Sequence, residues 1–170
     1  MIEPDLEWVF IDGSYAKAHQ HSSGAVSDDD EAIGKSRAGH TSKIHLVVDA
    51  HGLPVDFEIT GGHVNDCTVA PELIVRLPEA DVIIADKGYD SERIRETIES
   101  RGARPAIPRK RNSVKGNADL DRGLYRYRHL VENAFARLKH YRAVASRFDK
   151  LKRNYESVVA MACMILWLPM

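Results

Sequence analysis

Between Asp121 and Asp149 the chain carries one acidic side chain, Glu132, among Arg122, Arg126, Arg128, Arg137, Lys139, Arg142 and Arg147. A carboxylate set there has two uses. It can pair with Arg128 four residues earlier, a contact worth about 0.2–0.5 kcal/mol on a solvated helix face. Or it can hold a divalent cation at a place where the surrounding cations grip a polyanion. Two other carboxylates bear on the choice. Asp12 follows the apolar run LEWVFI (residues 6–11) and precedes Gly13; Asp86 follows DVIIA (81–85) and precedes Lys87-Gly88-Tyr89. Each run reads as a short buried strand, so each Asp is expected at a strand tip, where it can reach a site without entering the core. If the two strands are neighbours and a helix carries Glu132 across them, three acids converge. Three unneutralised carboxylates raise one another's pKa, so the grouping makes sense around a divalent cation. Mg²⁺ or Mn²⁺ suits hard oxygen ligands, and two ions about 3.5–4 Å apart can activate an attacking oxygen and stabilise a departing one. Phosphodiester chemistry on DNA fits that arrangement.

The elements must deliver this geometry. Residues 122–148 read as one long helix, because Leu124, Val131, Phe135 and Leu138 fall on one stripe and Tyr125, Arg128, Glu132 and Lys139 on another beside it. Residues 19–42, rich in Ser, Gly and charge, read as a long exposed loop, taken as flexible over 20–42. Within it Gly34-Lys35-Ser36 fails as a phosphate loop, since Asp29 stands where that motif needs Gly. Lys35, Arg37 and Lys43 remain available to a nucleic-acid backbone. Residues 43–48 and 53–60 form a hairpin about the turn Asp49-Ala50-His51-Gly52. Asp66 is expected to cap the helix 68–77, with a place behind a metal ligand, alongside His63, as its other use. Helix 91–101, capped by Ser91, the edge strand 104–108 and a last apolar helix 155–168 complete a mixed α/β sheet flanked by helices. One domain spans residues 1–170.

Charge is divided along the chain. The net charge of −1 conceals 5 Lys/Arg against 16 Asp/Glu in residues 1–86 and 19 against 9 in residues 87–170. Residues 101–153 hold 16 basic and 4 acidic side chains. A positive face of that size fits a polyanionic partner such as nucleic acid. Cys67 and Cys163 lack the spacing of a zinc site or a disulfide framework, the start of the chain lacks a signal-peptide pattern, and the apolar run 158–170 is shorter than the ~20 residues of a spanning helix. A cytoplasmic protein without a membrane partner is expected.

Tyr125, Arg128, Glu132 and Lys139 stand in the spacing Tyr-x2-Arg-x3-Glu-x6-Lys. With Asp12-Gly13 and Asp86-Lys87-Gly88-Tyr89 ahead of them in order, the chain resembles the DDE transposases of bacterial insertion sequences, in the branch marked by that signature. The resemblance covers almost the whole chain. It implies an RNase H-like fold and a Mg²⁺-dependent centre, with Mn²⁺ able to substitute and two ions in use. Asp12, Asp86 and Glu132 would be its catalytic and metal-binding triad. It also implies strand cleavage by activated water, followed by attack of the freed 3′-hydroxyl on target DNA. Arg128 and Lys139 would hold DNA phosphates, and Tyr125 would contact the DNA or the helix face. The partners implied are transposon ends and target DNA, with a homodimer or larger complex to bring two ends together.

Members of that family carry a helical N-terminal region that reads the terminal repeats, whereas eleven residues precede Asp12 here. The chain is therefore expected to be the catalytic part alone, joined to such a region by fusion or left as a remnant. Two other readings share its features: a truncated, non-catalytic product that binds DNA or partners a full-length enzyme, and an RNase H-like nuclease that cuts without joining.

Overall fold

The computed structural model describes residues 3–22, 31–111 and 113–168. A mixed sheet forms the middle layer. Strand β1 (Trp8–Ala18) lies at its centre, antiparallel to β3 (Gly39–Val48) and parallel to β5 (Val82–Ala85), which pairs in parallel with β6 (Arg104–Ala106). On its other side β3 pairs with β4 (Pro54–Gly61) and, towards its start, with β2 (Gly34–Ser36). A short strand β7 (Ser146–Arg147) runs parallel to the end of β1.

Alternation along the strands builds two cores. Phe10, Ile44, Leu46, Val82 and Ile84 face one way, onto Val131, Phe135 and Leu138 of helix α4 (His129–Lys139) and Tyr155 and Val159 of α6 (Lys152–Leu166). Val9, Ile11, Val47 and Ile83 face the other, onto Leu73 and Ile74 of α1 (Asp66–Arg76) and Ile94 and Ile98 of α2 (Glu92–Ser100). The result is helix, sheet, helix, the mixed α/β architecture expected from the order of elements.

Four local expectations are corrected. β1 does not stop at Asp12: it runs on to Ala18, because Gly13 and the residues after it keep pairing with β3, up to Lys17 opposite Thr41. Gly13 is a strand residue, not a turn. Part of the stretch read as loop is ordered: β2 and the first residues of β3 form a hairpin closed at Arg37-Ala38, with Gly39 at φ +94°. Residues 23–30, including Asp28, Asp29 and Asp30, lie outside the described residues. The cap of α1 is Asn65, whose side chain accepts from the Cys67 N–H, which leaves Asp66 free to point elsewhere.

The long basic helix is segmented as well. Helix α3 (Arg122–Tyr125) passes through a 3₁₀ turn (Arg126–Arg128) into α4, and after Lys139 the chain turns through Tyr141 into α5 (Arg142–Ala145) and then β7. Extended backbone at β7 has a cause. Buried Arg147 donates to the carbonyls of Ala32, Asp149 and Lys150 and to Ser42 Oγ. A helix would turn that guanidinium away from them.

Candidate active site

The pairing of β1 with β5 ends at Ile11 opposite Ala85. Asp12 and Asp86 are the next residue on each strand, so two carboxylates emerge side by side where the parallel strands part. Asp86 caps the 3₁₀ turn Lys87–Tyr89 by accepting from the Gly88 N–H at 2.6 Å. Asp12 accepts from the Gly13 N–H at 2.8 Å. Burial pushes the Asp12 carboxyl above its ordinary pKa, and the negative charges of Asp86 and Asp66 add to that push; the Gly13 N–H and Arg128 oppose it.

Residues of the basic helices meet these strands on the same face. Arg128 donates one guanidinium nitrogen to Asp12 Oδ2 at 2.8 Å and another to Glu132 Oε1. Against the penalty of its own burial, those two carboxylates hold the Arg128 proton more firmly than usual. Lys139 donates to Ser14 Oγ at 2.6 Å, and burial lowers its ammonium pKa. Tyr125 packs against the core at the end of α3. The stripe formed by Tyr125, Arg128, Glu132 and Lys139 thus runs along β1. Glu132 stays 52% exposed, and Arg128 links it to Asp12. Among the described residues no three acidic, His or Cys side chains close into a metal cage.

On the opposite face Lys43, His45, Asp66 and Tyr89 form a group that sequence reasoning did not assemble. Lys43, expected to touch nucleic acid, is 4% exposed, and its ammonium meets Asp66 Oδ2 at 2.6 Å. His45 Nδ1 lies 3.2 Å from Asp66 Oδ1 without the alignment of a hydrogen bond. Burial would raise the Asp66 pKa, but His45 and Lys43 outweigh it and hold the carboxyl below its ordinary range. Buried Tyr89 donates to Asp66 Oδ1 at 3.3 Å, and burial together with Asp66, Asp12 and Asp86 keeps its phenol protonated. The signal was the alternation of β3, which puts Lys43 and His45 opposite Ile44 and Leu46 and so onto the α1 side.

The family model for the Transposase DDE domain matches residues 3–167. This chain belongs to that family. It is similar to a putative transposase for insertion sequence element IS6501 of Brucella ovis, 36% identical over 128 residues that cover 75% of this chain and 98% of that one. A putative transposase for element IS402 of Burkholderia cepacia is 36% identical over 143 residues, covering 77% of this chain and 65% of the relative. The chain thus spans nearly all of the first and about two thirds of the second. Among solved structures, a chain of the simian T-cell lymphotropic virus intasome, in complex with PP2A regulatory subunit B56 gamma, aligns with 94% of this chain and 48% of its own length at a TM-score of 0.55 and 13% identity. The fold is RNase H-like, as the resemblance implied, and the chain is a DDE transposase catalytic domain.

For the divalent ion of such domains, the donor chemistry present is a partial fit. Asp12 and Asp86 are adjoining hard oxygen donors beside excess negative charge, the setting a divalent cation relieves. Glu132, exposed on the first turn of α4 and paired with Arg128, would join them only with Arg128 displaced.

Proposed function

We propose that this domain cuts DNA strands and joins the freed 3′ ends to target DNA, using Asp12, Asp86 and Glu132. The observation that carries the reading is the emergence of Asp12 and Asp86 side by side from paired parallel strands, with one guanidinium joining Asp12 to Glu132. Arg128 serves as the counter-ion of Asp12 and Glu132. Asp12, Asp86 and Glu132 would hold Mg²⁺ or Mn²⁺, most simply as two ions, which would supply Lewis acidity to the attacking and leaving oxygens. Arg128 would then be available to a DNA phosphate as a bidentate donor. Lys139, whose ammonium pKa burial lowers, donates to Ser14 Oγ on the same face of β1 and is placed to hold a neighbouring phosphate. Tyr125 backs Arg128 from the end of α3. Tyr89, kept protonated, donates to Asp66 beside the pair. Two DNA ends require two such centres, so the working unit is a homodimer or larger, or this domain fused to a region that reads the ends. Its place of work is the DNA of the bacterial cytoplasm; among the described residues no helix is long and apolar enough to cross a membrane.

Supercoiled plasmid incubated with the protein and Mn²⁺ tests the reading. Nicking that disappears in Asp86→Ala and in Glu132→Gln is the expected result, with joining of precut ends in a separate assay. Binding without nicking by the unaltered chain supports a truncated, non-catalytic DNA-binding product instead.

A further inference from the structure

Beyond Ser14, the far end of β1 enters a group of side chains that the cleavage site does not use. Lys17 and Ala18 pair with Ser146 and Arg147 of β7, and the His19 N–H donates to the Arg147 carbonyl at 2.8 Å. There Phe148 stacks on His19 with ring centres 4.7 Å apart and planes at 27°, and His19 in turn meets His21 at 5.0 Å. Phe148 is 43% exposed. Beside it opens a groove of about 530 Å³ walled by Lys17, His19, His40, Arg142 and Phe148. The Arg142 guanidinium stands over the Phe148 ring, 5.9 Å from its centre.

The support beneath this aromatic stack is rigid. Arg147 is fully buried, its guanidinium held by four oxygens that carry no charge and set over the Tyr155 ring. Burying a guanidinium against neutral acceptors is unfavourable unless every donor is satisfied, so the arrangement fixes β7 tightly. Alternation along the extended chain then turns the next side chain, Phe148, to the outside. An exposed ring on a fixed backbone, flanked by imidazoles, a lysine and an arginine, is the composition of a base-stacking platform. Among the described residues that wall the groove none is acidic, and the aliphatic surface is limited to alanines. A helix or strand of another protein would find little apolar area there. A base with flanking phosphates would find a stacking face and counter-charges.

The groove also lies in line with the cleavage site. From Asp12 to Lys17, β1 covers about 16 Å at about 3.3 Å per residue, and the cations Arg128, Lys139 and Arg142 follow the same path along the helices. We propose that this groove takes an unpaired nucleobase of the DNA strand, stacked on the outer face of Phe148 whose other face His19 covers, with the neighbouring phosphates on Lys17 and Arg142. The proposal rests on the cleavage reading only for which strand is bound; the base-binding site stands on its own geometry.

The test uses the full chain and a short single-stranded oligodeoxynucleotide carrying one 2-aminopurine, with the matching duplex and a version lacking the base at that position. The unaltered protein is expected to quench the 2-aminopurine and to bind the single strand more tightly than the abasic version, by roughly ten-fold, within the range of one base–aromatic stack. Phe148→Ala should lose the quenching and the same factor in affinity, and should no longer distinguish the abasic strand; Phe148→Trp should restore both, and duplex affinity should stay within two-fold or so. Equal binding of intact and abasic strands by the unaltered protein overturns the proposal, and needs no variant to be folded. Tighter binding of the matching oligoribonucleotide overturns DNA as the source of the base. The nicking assay separates the two readings: if Asp86→Ala nicks like the unaltered chain while the base-dependent binding persists, the cleavage reading falls and the stacking site remains.

Discussion

Arg128 is the residue on which the site turns. It neutralises a half-buried carboxylate that already sits above its ordinary pKa through burial and through Asp86 and Asp66. Removing it leaves Asp12 and Glu132 without a counter-ion, and a lost hydrogen bond to a charged group costs about 1.5–3 kcal/mol. Arg128→Ala is therefore expected to lower the melting temperature in the absence of metal. Mn²⁺ should then raise it by more than in the unaltered chain, because the ion takes over a task Arg128 otherwise performs. Melting curves with and without Mn²⁺ check this; equal Mn²⁺ shifts in both proteins would mean that Arg128 and the ion do not compete for Asp12. At this scale the sequence was legible where spacing decides: the Arg128–Glu132 pair follows from four residues of helix. It was silent on Arg128 also reaching Asp12, 116 positions away in the chain, since no local pattern encodes a tertiary bridge. Lys43 was misread for the same reason, because an acid on the next helix, invisible in the local run, draws it inward.

Among the elements, β1 departs furthest from its sequence reading. Asp12-Gly13 has the form of a turn, and the strand continues because Gly13 is needed for room. A Cβ at residue 13 would lie 2.5 Å from Asp66 Oδ1 and 2.9 Å from Lys43 Cε. Both of those groups are pinned, Lys43 by its burial and Asp66 by Lys43 and Tyr89. Gly13→Ala must push the pair apart, and overpacking of this kind costs about 1–3 kcal/mol. For a chain of this length that corresponds to a fall of roughly 2–12 °C in melting temperature, with nicking reduced further than the stability loss explains, since Asp12 is the adjoining residue. Thermal melting beside the plasmid assay measures both; an unchanged melting temperature would show that Asp66 and Lys43 shift freely. Propensity found most of the other elements, including the β3–β4 hairpin about Asp49, which accepts from the His51 and Leu53 N–H groups as a turn residue should. It failed at residues 34–42 and 146–147, where short strands owe their existence to partners already in place rather than to their own residues.

The whole molecule depends on two helical layers staying clamped to one sheet, and the edge strand β4 carries a clamp that reaches both. Glu58 accepts from Lys152 of α6 at 2.6 Å and from Arg76 of α1 at 3.0 Å. Burial would raise its pKa, but the hydrogen bonds and charges of Lys152 and Arg76 prevail and hold it below the ordinary 4.5. A carboxyl depressed in the folded state binds fewer protons there than in the unfolded chain. Its contribution is present above the unfolded value and is lost as pH falls through the folded one. Asp66 and Asp90 are shifted in the same direction, Asp66 by His45 and Lys43 against its burial, Asp90 by the Lys110 N–H and Arg95 against its own. Stability is thus expected to be flat near neutrality and to drop below about pH 4.5. Glu58→Gln should lose about 1–2 kcal/mol at neutral pH, discounted for the exposure of Arg76, and should show a shallower acid drop than the unaltered chain. Urea midpoints measured from neutral pH down into the acid range decide it. If the two curves stay parallel into acid, Glu58 does not couple the layers, and the acid sensitivity belongs to Asp66 and Asp90 on the α1 side alone.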